Sequence, residues 1–187
     1  MSELFVNKIQ SHTDANNHIE VASGHYIYAP SQGMIVQHVQ KTYETQSTTT
    51  STSYVELFTQ TITPRSSSSK IYVNLLAFAD HANYHTGGIQ VLRGSTVLKS
   101  GQTGGASISI RTGSFNTANG QAYIAHPWTF KYMDSPATTS QLTYKVQYAT
   151  GNASHATAFN RSVNRVQQSG INDAGYLTVL DLYEIAQ

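Results

Sequence analysis

The fold is decided by residues 122–149, AYIAHPWTFKYMDSPATTSQLTYKVQYA. In the first half of this stretch, Trp128, Phe130 and Tyr132 fall on one face of an extended chain. Residues 134–136, Asp-Ser-Pro, favour a turn between the halves. The stretch therefore predicts a hairpin whose apolar face, with the only tryptophan of the chain, anchors the main core. The second half alternates apolar and polar residues, and its apolar positions are Leu142, Tyr144, Val146 and Tyr148.

The chain carries few charges. Charged residues make up 11% of its 187 residues, hydrophobic residues make up 39%, and the net charge is +1. Because so little charge attracts neither nucleic acid nor an anionic membrane, we predict no nucleic-acid partner and no membrane insertion. The chain has no cysteine, which excludes disulfides and thiolate sites. The first residues lack the basic and apolar regions of a signal peptide, so we expect synthesis in a host cytoplasm.

Strand patterns recur between turns from Met34 onward. Residues 70–80 and 175–185 are apolar on both faces, which is typical of central strands. Residues 89–99 predict a hairpin about Gly94, since glycine suits the left-handed position of a short connection. About eight short strands with turns between them favour an all-β fold, an antiparallel β-sandwich that is most simply a jelly roll. The remaining predicted strands are residues 34–43, 54–63 and 108–110.

The N-terminal residues 1–33 differ from the sandwich that we predict for residues 34–187. Turn-forming residues 11–17 interrupt short apolar patterns, and the segment is too short to bury its own apolar side chains. We interpret it as an arm that attaches the domain to a neighbouring chain or a larger scaffold, with an edge strand on its own domain as the open alternative. The predicted attachment residues are Phe5, Ile9, Ile19, Val21, Tyr26 and Tyr28.

The chain resembles a known family in the order of its strand and turn motifs. The motifs are IEVASGHYIYAPSQGMIVQHVQ, TQTITPRSSSSKIYVNLLAFAD, GGIQVLRGSTVL, HPWTFKYMDSPATTSQLTYKVQYATGN and LTVLDLYEI. It resembles small structural proteins of tailed bacteriophages, particularly marine and cyanobacterial phages, described as tail-fibre-like or virion structural proteins. The resemblance covers most of the chain from Ile19 onward, and it implies a β-sandwich that trimerises on the virion surface and carries no catalytic residue. Because the chain has no long shaft, a fibre tip, a short appendage or a capsid decoration fits better than a long fibre.

Candidate catalytic and metal-binding groups are scattered. His81 and His85 have the i, i+4 spacing of a helical metal site, but they follow a strand and no Glu follows His81, so we predict no metal. A glycosidase needs two facing carboxylates, for which Asp80 and Asp134 are the candidates. We expect instead that the Asp residues form turns and that Asp or Glu residues within strands are solvated. Nucleophile elbows, phosphate loops and dinucleotide fingerprints are absent, and we predict neither catalytic residue nor cofactor.

Aromatic and amide side chains in predicted loops are candidates for binding a glycan. A ring packs against a sugar face and an amide bonds its hydroxyls, and loops on a rigid sandwich commonly carry function. The alternative is that these loops cover seams between subunits. The candidate residues are Tyr84, Phe115, Asn116, Asn119, Asn152 and Phe159.

We therefore expect a non-enzymatic virion structural protein, a homotrimeric jelly roll on the particle surface. Its partners would be its own copies, a major capsid or tail protein, and a host surface glycan if it serves attachment. A carbohydrate-binding module for a host receptor is the alternative function. A polysaccharide-degrading enzyme that depends on Asp80 is a third hypothesis.

Overall fold

The computed structural model describes residues 33–81, 86–98, 113–116, 125–163 and 176–187. All of them belong to one compact unit, Ser31–Gln187. The six predicted attachment residues and the predicted strand at residues 108–110 lie outside the described residues. The arm itself, residues 1–33, is described only at Gly33, whose backbone N–H donates to the carbonyl oxygen of Ala186 over 2.8 Å.

The described residues form strands and connections, without a helix. Most strands fall within a few residues of the segments that the sequence predicts as strands. The strands are β1 Ile35–Tyr43, β2 Ser47–Thr49, β3 Val55–Ile62, β4 Lys70–His81, β5 Thr86–Arg93, β6 Thr96–Val97, β7 Gly113–Asn116, β8 His126–Asp134, β9 Leu142–Thr150, β10 Thr157–Phe159 and β11 Thr178–Ile185.

The strands form two antiparallel sheets. In sheet A, β4 pairs with β8 on one edge and with β11 and then β10 on the other, and β1 and β2 pair with β11 and β10. In sheet B, β9 lies between β3 and β5, and β6 and β7 both pair with the outer edge of β5.

The strand order is that of a jelly roll. We count β1 with β2, β6 with β7, and β10 with β11 as single interrupted strands, and number the resulting positions along the chain. Sheet A then has the order first, eighth, third, sixth, and sheet B has the order second, seventh, fourth, fifth. This is the double-sheet arrangement of the jelly roll. The predicted all-β antiparallel sandwich is confirmed.

The predicted hairpin in residues 122–149 is wrong in its pairing. Both strands exist, as β8 and β9, but β8 pairs with β4 in sheet A and β9 pairs with β3 and β5 in sheet B. Residues 135–141 therefore cross from one sheet to the other. Alternation shows only that each strand buries one face. Two strands paired in one sheet and two strands in opposite sheets have the same alternation, so the pattern does not distinguish the two arrangements.

The core lies between the two sheets. The inward residues of β4 are fully buried, and they face equally buried residues of β5 and β9. Fully burying such a side chain stabilises the fold by about 1.5–3 kcal/mol. Phe130 is buried as predicted, with Trp128 and Tyr132 partly buried on either side of it. The turn between β5 and β6 has Gly94 at φ +59°, the left-handed conformation that the sequence predicts.

Candidate functional site

Asp134 links the two sheets through a partly buried ion pair, in which its own side chain is 7% exposed and that of Arg93 is 25% exposed. It ends β8 in sheet A, and its carboxylate oxygens lie 2.8 and 2.9 Å from Nη1 of Arg93, which ends β5 in sheet B. The hydroxyl of Tyr144 donates to the same carboxylate over 2.7 Å. Burial and the neighbouring carboxylate raise the pKa of Tyr144. The prediction that Asp134 is a turn former is corrected, since it is the last residue of β8 and its carboxylate bonds Arg93 and Tyr144.

Glu184 is a second buried carboxylate with a structural role. It is 0% exposed, and its Oε1 accepts hydrogen bonds from the backbone N–H groups of Arg65 at 2.7 Å and Ser66 at 3.3 Å. These two residues lie in the connection between β3 and β4. Glu184 therefore holds this connection against the end of β11, and the expected solvated strand position is not observed.

Asp80 lies near the end of β4 and is also 0% exposed. Its two oxygens accept hydrogen bonds from the backbone N–H groups of His81 at 2.7 Å and Val163 at 2.9 Å. Burial raises the pKa of Asp80, although both hydrogen bonds oppose that rise. Asp134 lies opposite Ile71 at the other end of β4, so a rise of ~3.3 Å per residue separates the two carboxylates by about 30 Å. They do not form a facing pair.

His81 is buried beside Thr150, and its Nε2 lies 2.9 Å from the Thr150 hydroxyl oxygen. His85 lies outside the described residues. Within the described ranges, no group of three or more His, Asp or Glu side chains is arranged to hold a metal ion.

The four predicted glycan-binding residues that the structure describes, Phe115, Asn116, Asn152 and Phe159, lie near one end of the sandwich, where Thr86 pairs with Asn116 and Gly87 pairs with Thr150. Tyr84 and Asn119 are outside the described residues. Phe115 and Asn116 belong to strand β7, which corrects their assignment to a loop. The sequence around Phe115 contains too few apolar residues to show the alternation that indicates a strand.

The last two predicted glycan-binding residues are described in full. Asn152 lies in the connection between β9 and β10, as predicted, and its Oδ1 accepts a hydrogen bond from the backbone N–H of Ser154 over 2.9 Å. Phe159 belongs to β10, is 0% exposed, and meets the ring of Tyr148 edge-on at 4.9 Å. The prediction that Phe159 lies in a loop is wrong. Its neighbours in the sequence are mostly polar, but its own side chain fills the core.

The outer side of sheet A carries a cluster of aromatic and polar side chains that we call the tyrosine face. Cross-strand register places His38, Tyr183, Tyr72 and Met133 in one row across the sheet. The ring of His38 stacks on Tyr183 with centroids 4.3 Å apart, and the rings of Tyr183 and Tyr72 are 6.1 Å apart. The next row contains Gln40, Asp181, Asn74 and Lys131.

Asp181 organises the polar row of the tyrosine face. It accepts hydrogen bonds from Gln40 at 2.8 Å, His38 at 3.0 Å and Asn74 at 3.2 Å. Burial by itself would raise the pKa of Asp181, but the three hydrogen bonds outweigh it and the pKa is lowered. The carboxylate therefore fixes side chains from β1 and β4 around β11.

An open pocket of about 310 Å³ lies on the tyrosine face. Its lining residues come from β1, β4, β8 and β11, and they are Ile35, Tyr72, Asn74, Lys131, Tyr183 and Ile185. Sequence reasoning missed this site because it interpreted the segments of β4 and β11 as apolar on both faces. The signal that could have found it is the placement of Tyr72 and Asn74 between the fully buried Ile71, Val73 and Leu75.

Comparison with known proteins gives no assignment. No protein-family model matches the chain, and no curated protein matches it. The described residues also include no helix of the length and hydropathy needed to cross a membrane.

Proposed function

We propose that the chain is a non-enzymatic structural protein of a bacteriophage virion, a jelly roll displayed on the particle surface. The observation that carries this proposal is the jelly-roll strand order of the two sheets. Viral capsid domains are prominent users of this architecture. The resemblance in strand and turn motifs from Ile19 onward points to the same class of protein.

The hydrogen bonding of the buried carboxylates supports a structural role. Asp134 joins the two sheets, Glu184 holds a connection, and Asp80 accepts two backbone N–H groups. Asp181 is held by three side chains. A carboxylate used in this way stabilises one conformation of the fold and is poorly placed to transfer protons to a substrate.

In this proposal, residues 1–33 attach the jelly roll to a major capsid or tail protein, and three copies assemble. The experiment is mass spectrometry of particles purified from a lysate of the phage whose genome encodes the chain, combined with light scattering of the purified chain. We expect the chain in the particles and a mass three times the 20.4 kDa of one copy. A monomer that is absent from the particles would contradict both parts of the proposal.

The second candidate function is recognition of a host saccharide. The tyrosine face favours it, because tyrosine rings, an asparagine amide and a lysine surround one open pocket. Pockets that combine aromatic surface with a few polar groups are typical of small-ligand sites. Titration of the purified chain with oligosaccharides tests this function without reference to the particle.

A further inference from the structure

We propose that the pocket on the tyrosine face binds one carboxylate-bearing sugar unit, such as a uronic acid, within a longer glycan. This inference rests on the second candidate function and gives it a site and a ligand class. It does not depend on the virion role. It also places the saccharide site on the outer side of sheet A, away from the loops that the sequence suggests.

The size and openness of the pocket fit a single sugar unit of a chain. Its volume of about 310 Å³ is at the lower end of small-molecule sites, which begin at ~300 Å³. The pocket is open and lies on the outer surface of a sheet, which suits one unit of a longer glycan. A deep, enclosed cavity would admit only a free monosaccharide.

The aromatic and aliphatic walls suit the carbon-bound side of a sugar ring. Tyr72 and Tyr183 provide aromatic surface and one hydroxyl each, and Ile35 and Ile185 provide the aliphatic side. Ile35 is 56% exposed, so its aliphatic surface is accessible to a ligand in the pocket. Tyrosine is well suited to such a site because its ring is apolar and its hydroxyl is polar.

Asn74 provides a preorganised polar group. Its Nδ2 donates to Asp181 over 3.2 Å, which fixes the amide in one orientation. With the amide held in this way, its carbonyl oxygen is available to accept a hydrogen bond from a sugar hydroxyl. Because Asp181 is itself held by His38 and Gln40, the orientation of Asn74 is set before a ligand arrives.

The charge of the pocket favours an acidic sugar. Lys131 is exposed on β8, is the one charged residue among the six that line the pocket, and forms no ion pair with any described residue. The nearby Asp181 already accepts hydrogen bonds from three side chains. An ammonium group beside an incoming carboxylate forms a charge-assisted hydrogen bond, which is stronger than a neutral one.

The test is calorimetric titration of the full chain with two matched tetrasaccharides, one that contains glucuronate and one that contains glucose in its place. We expect the acidic tetrasaccharide to bind about two- to fivefold more tightly than the neutral one, since an ion pair at an exposed lysine contributes a factor of about that size. The substitution Lys131→Met removes the charge from an exposed position and should abolish this preference. Lys145→Met, on sheet B, is the matched control and should leave binding unchanged.

A second variant tests the aromatic wall. Tyr72→Ala should abolish measurable binding of both tetrasaccharides, with a thermal melt to verify that the variant is folded. If Lys131→Met and Tyr72→Ala both bind the tetrasaccharides as tightly as the wild type does, the pocket assignment is overturned, while saccharide recognition by the chain remains. Equal binding of the two tetrasaccharides would overturn the acidic ligand class. Absence of any binding by the folded wild type would overturn the inference together with the second candidate function.

Discussion

At the residue scale, the buried carboxylates join parts of the chain that are far apart in sequence. Asp181 contacts His38 and Gln40, which precede it by 143 and 141 residues in the sequence, and Glu184 contacts Arg65 and Ser66. Each of these bonds is partly buried and has a carboxylate as its acceptor, and hydrogen bonds to charged groups are worth about 1.5–3 kcal/mol. The fold therefore depends on a few polar residues as well as on its apolar core.

The ion pair between Arg93 and Asp134 should be important for stability. We expect Arg93→Met to lower the free energy of unfolding by about 2–3 kcal/mol, because it leaves the Asp134 carboxylate buried without its cation. Urea denaturation followed by tryptophan fluorescence measures this. Lys145→Met is the control, since Lys145 and Glu56 form an exposed pair at 3.8 Å that is worth no more than about 0.5 kcal/mol. Equal losses in the two variants would contradict the assigned role of Asp134.

Asp181 should make stability depend on pH in acid. Its pKa is lowered from the ordinary value of 3.8, so its contribution is complete above that value and is lost as the pH falls through the lower, folded pKa. We expect Asp181→Asn to lower the free energy of unfolding at neutral pH by about 2 kcal/mol. The gap between wild type and variant should narrow below pH 3.8. Urea denaturation across this range measures the gap, and a gap that is independent of pH would refute the prediction.

At the element scale, the connection between β8 and β9 determines how the two sheets are joined. Residues 135–141 lead from an edge strand of sheet A to a central strand of sheet B. Within this connection Ala137 has φ +52°, a left-handed conformation that is unfavourable for a residue with a Cβ atom. The burial of one apolar face each by β8 and β9, on opposite sides of the same core, outweighs this local strain.

Ala137→Gly should stabilise the protein. Relief of the left-handed strain is worth about 1–2 kcal/mol, and the greater freedom of glycine in the unfolded chain takes back up to about 1 kcal/mol. We expect a net gain of about 0.5 kcal/mol in thermal or urea denaturation. Ser135→Gly is the control in the same connection, because Ser135 has no positive φ and should lose stability. If Ala137→Gly lowers the free energy of unfolding as much as Ser135→Gly does, the backbone at Ala137 is not strained.

At the scale of the whole molecule, period-2 alternation in single strands predicts the all-β class and most strand positions. Residues 70–80 were predicted as a central strand, and β4 is indeed bonded on both edges. The turn at Gly94 was also predictable, because its left-handed conformation is a local property of glycine. These features depend on neighbouring residues in the sequence, which is why the sequence alone reveals them.

Features that depend on distant residues were not predictable in this way. The assignment of β8 and β9 to different sheets follows from pairing with β3, β4 and β5, which alternation does not encode. The tyrosine face likewise forms only when β1, β4, β8 and β11 lie side by side. Phe159 shows the converse case, since this core residue lies in a polar stretch of sequence that is typical of a loop.

The most direct test of the virion assignment is gold labelling of intact phage particles with an antibody to this chain, viewed by electron microscopy. We predict label on the particle. Label over the head would identify a capsid decoration, and label on the tail would identify a fibre tip or another tail component. Particles without label, from a lysate in which the free chain is detected, would contradict the assignment.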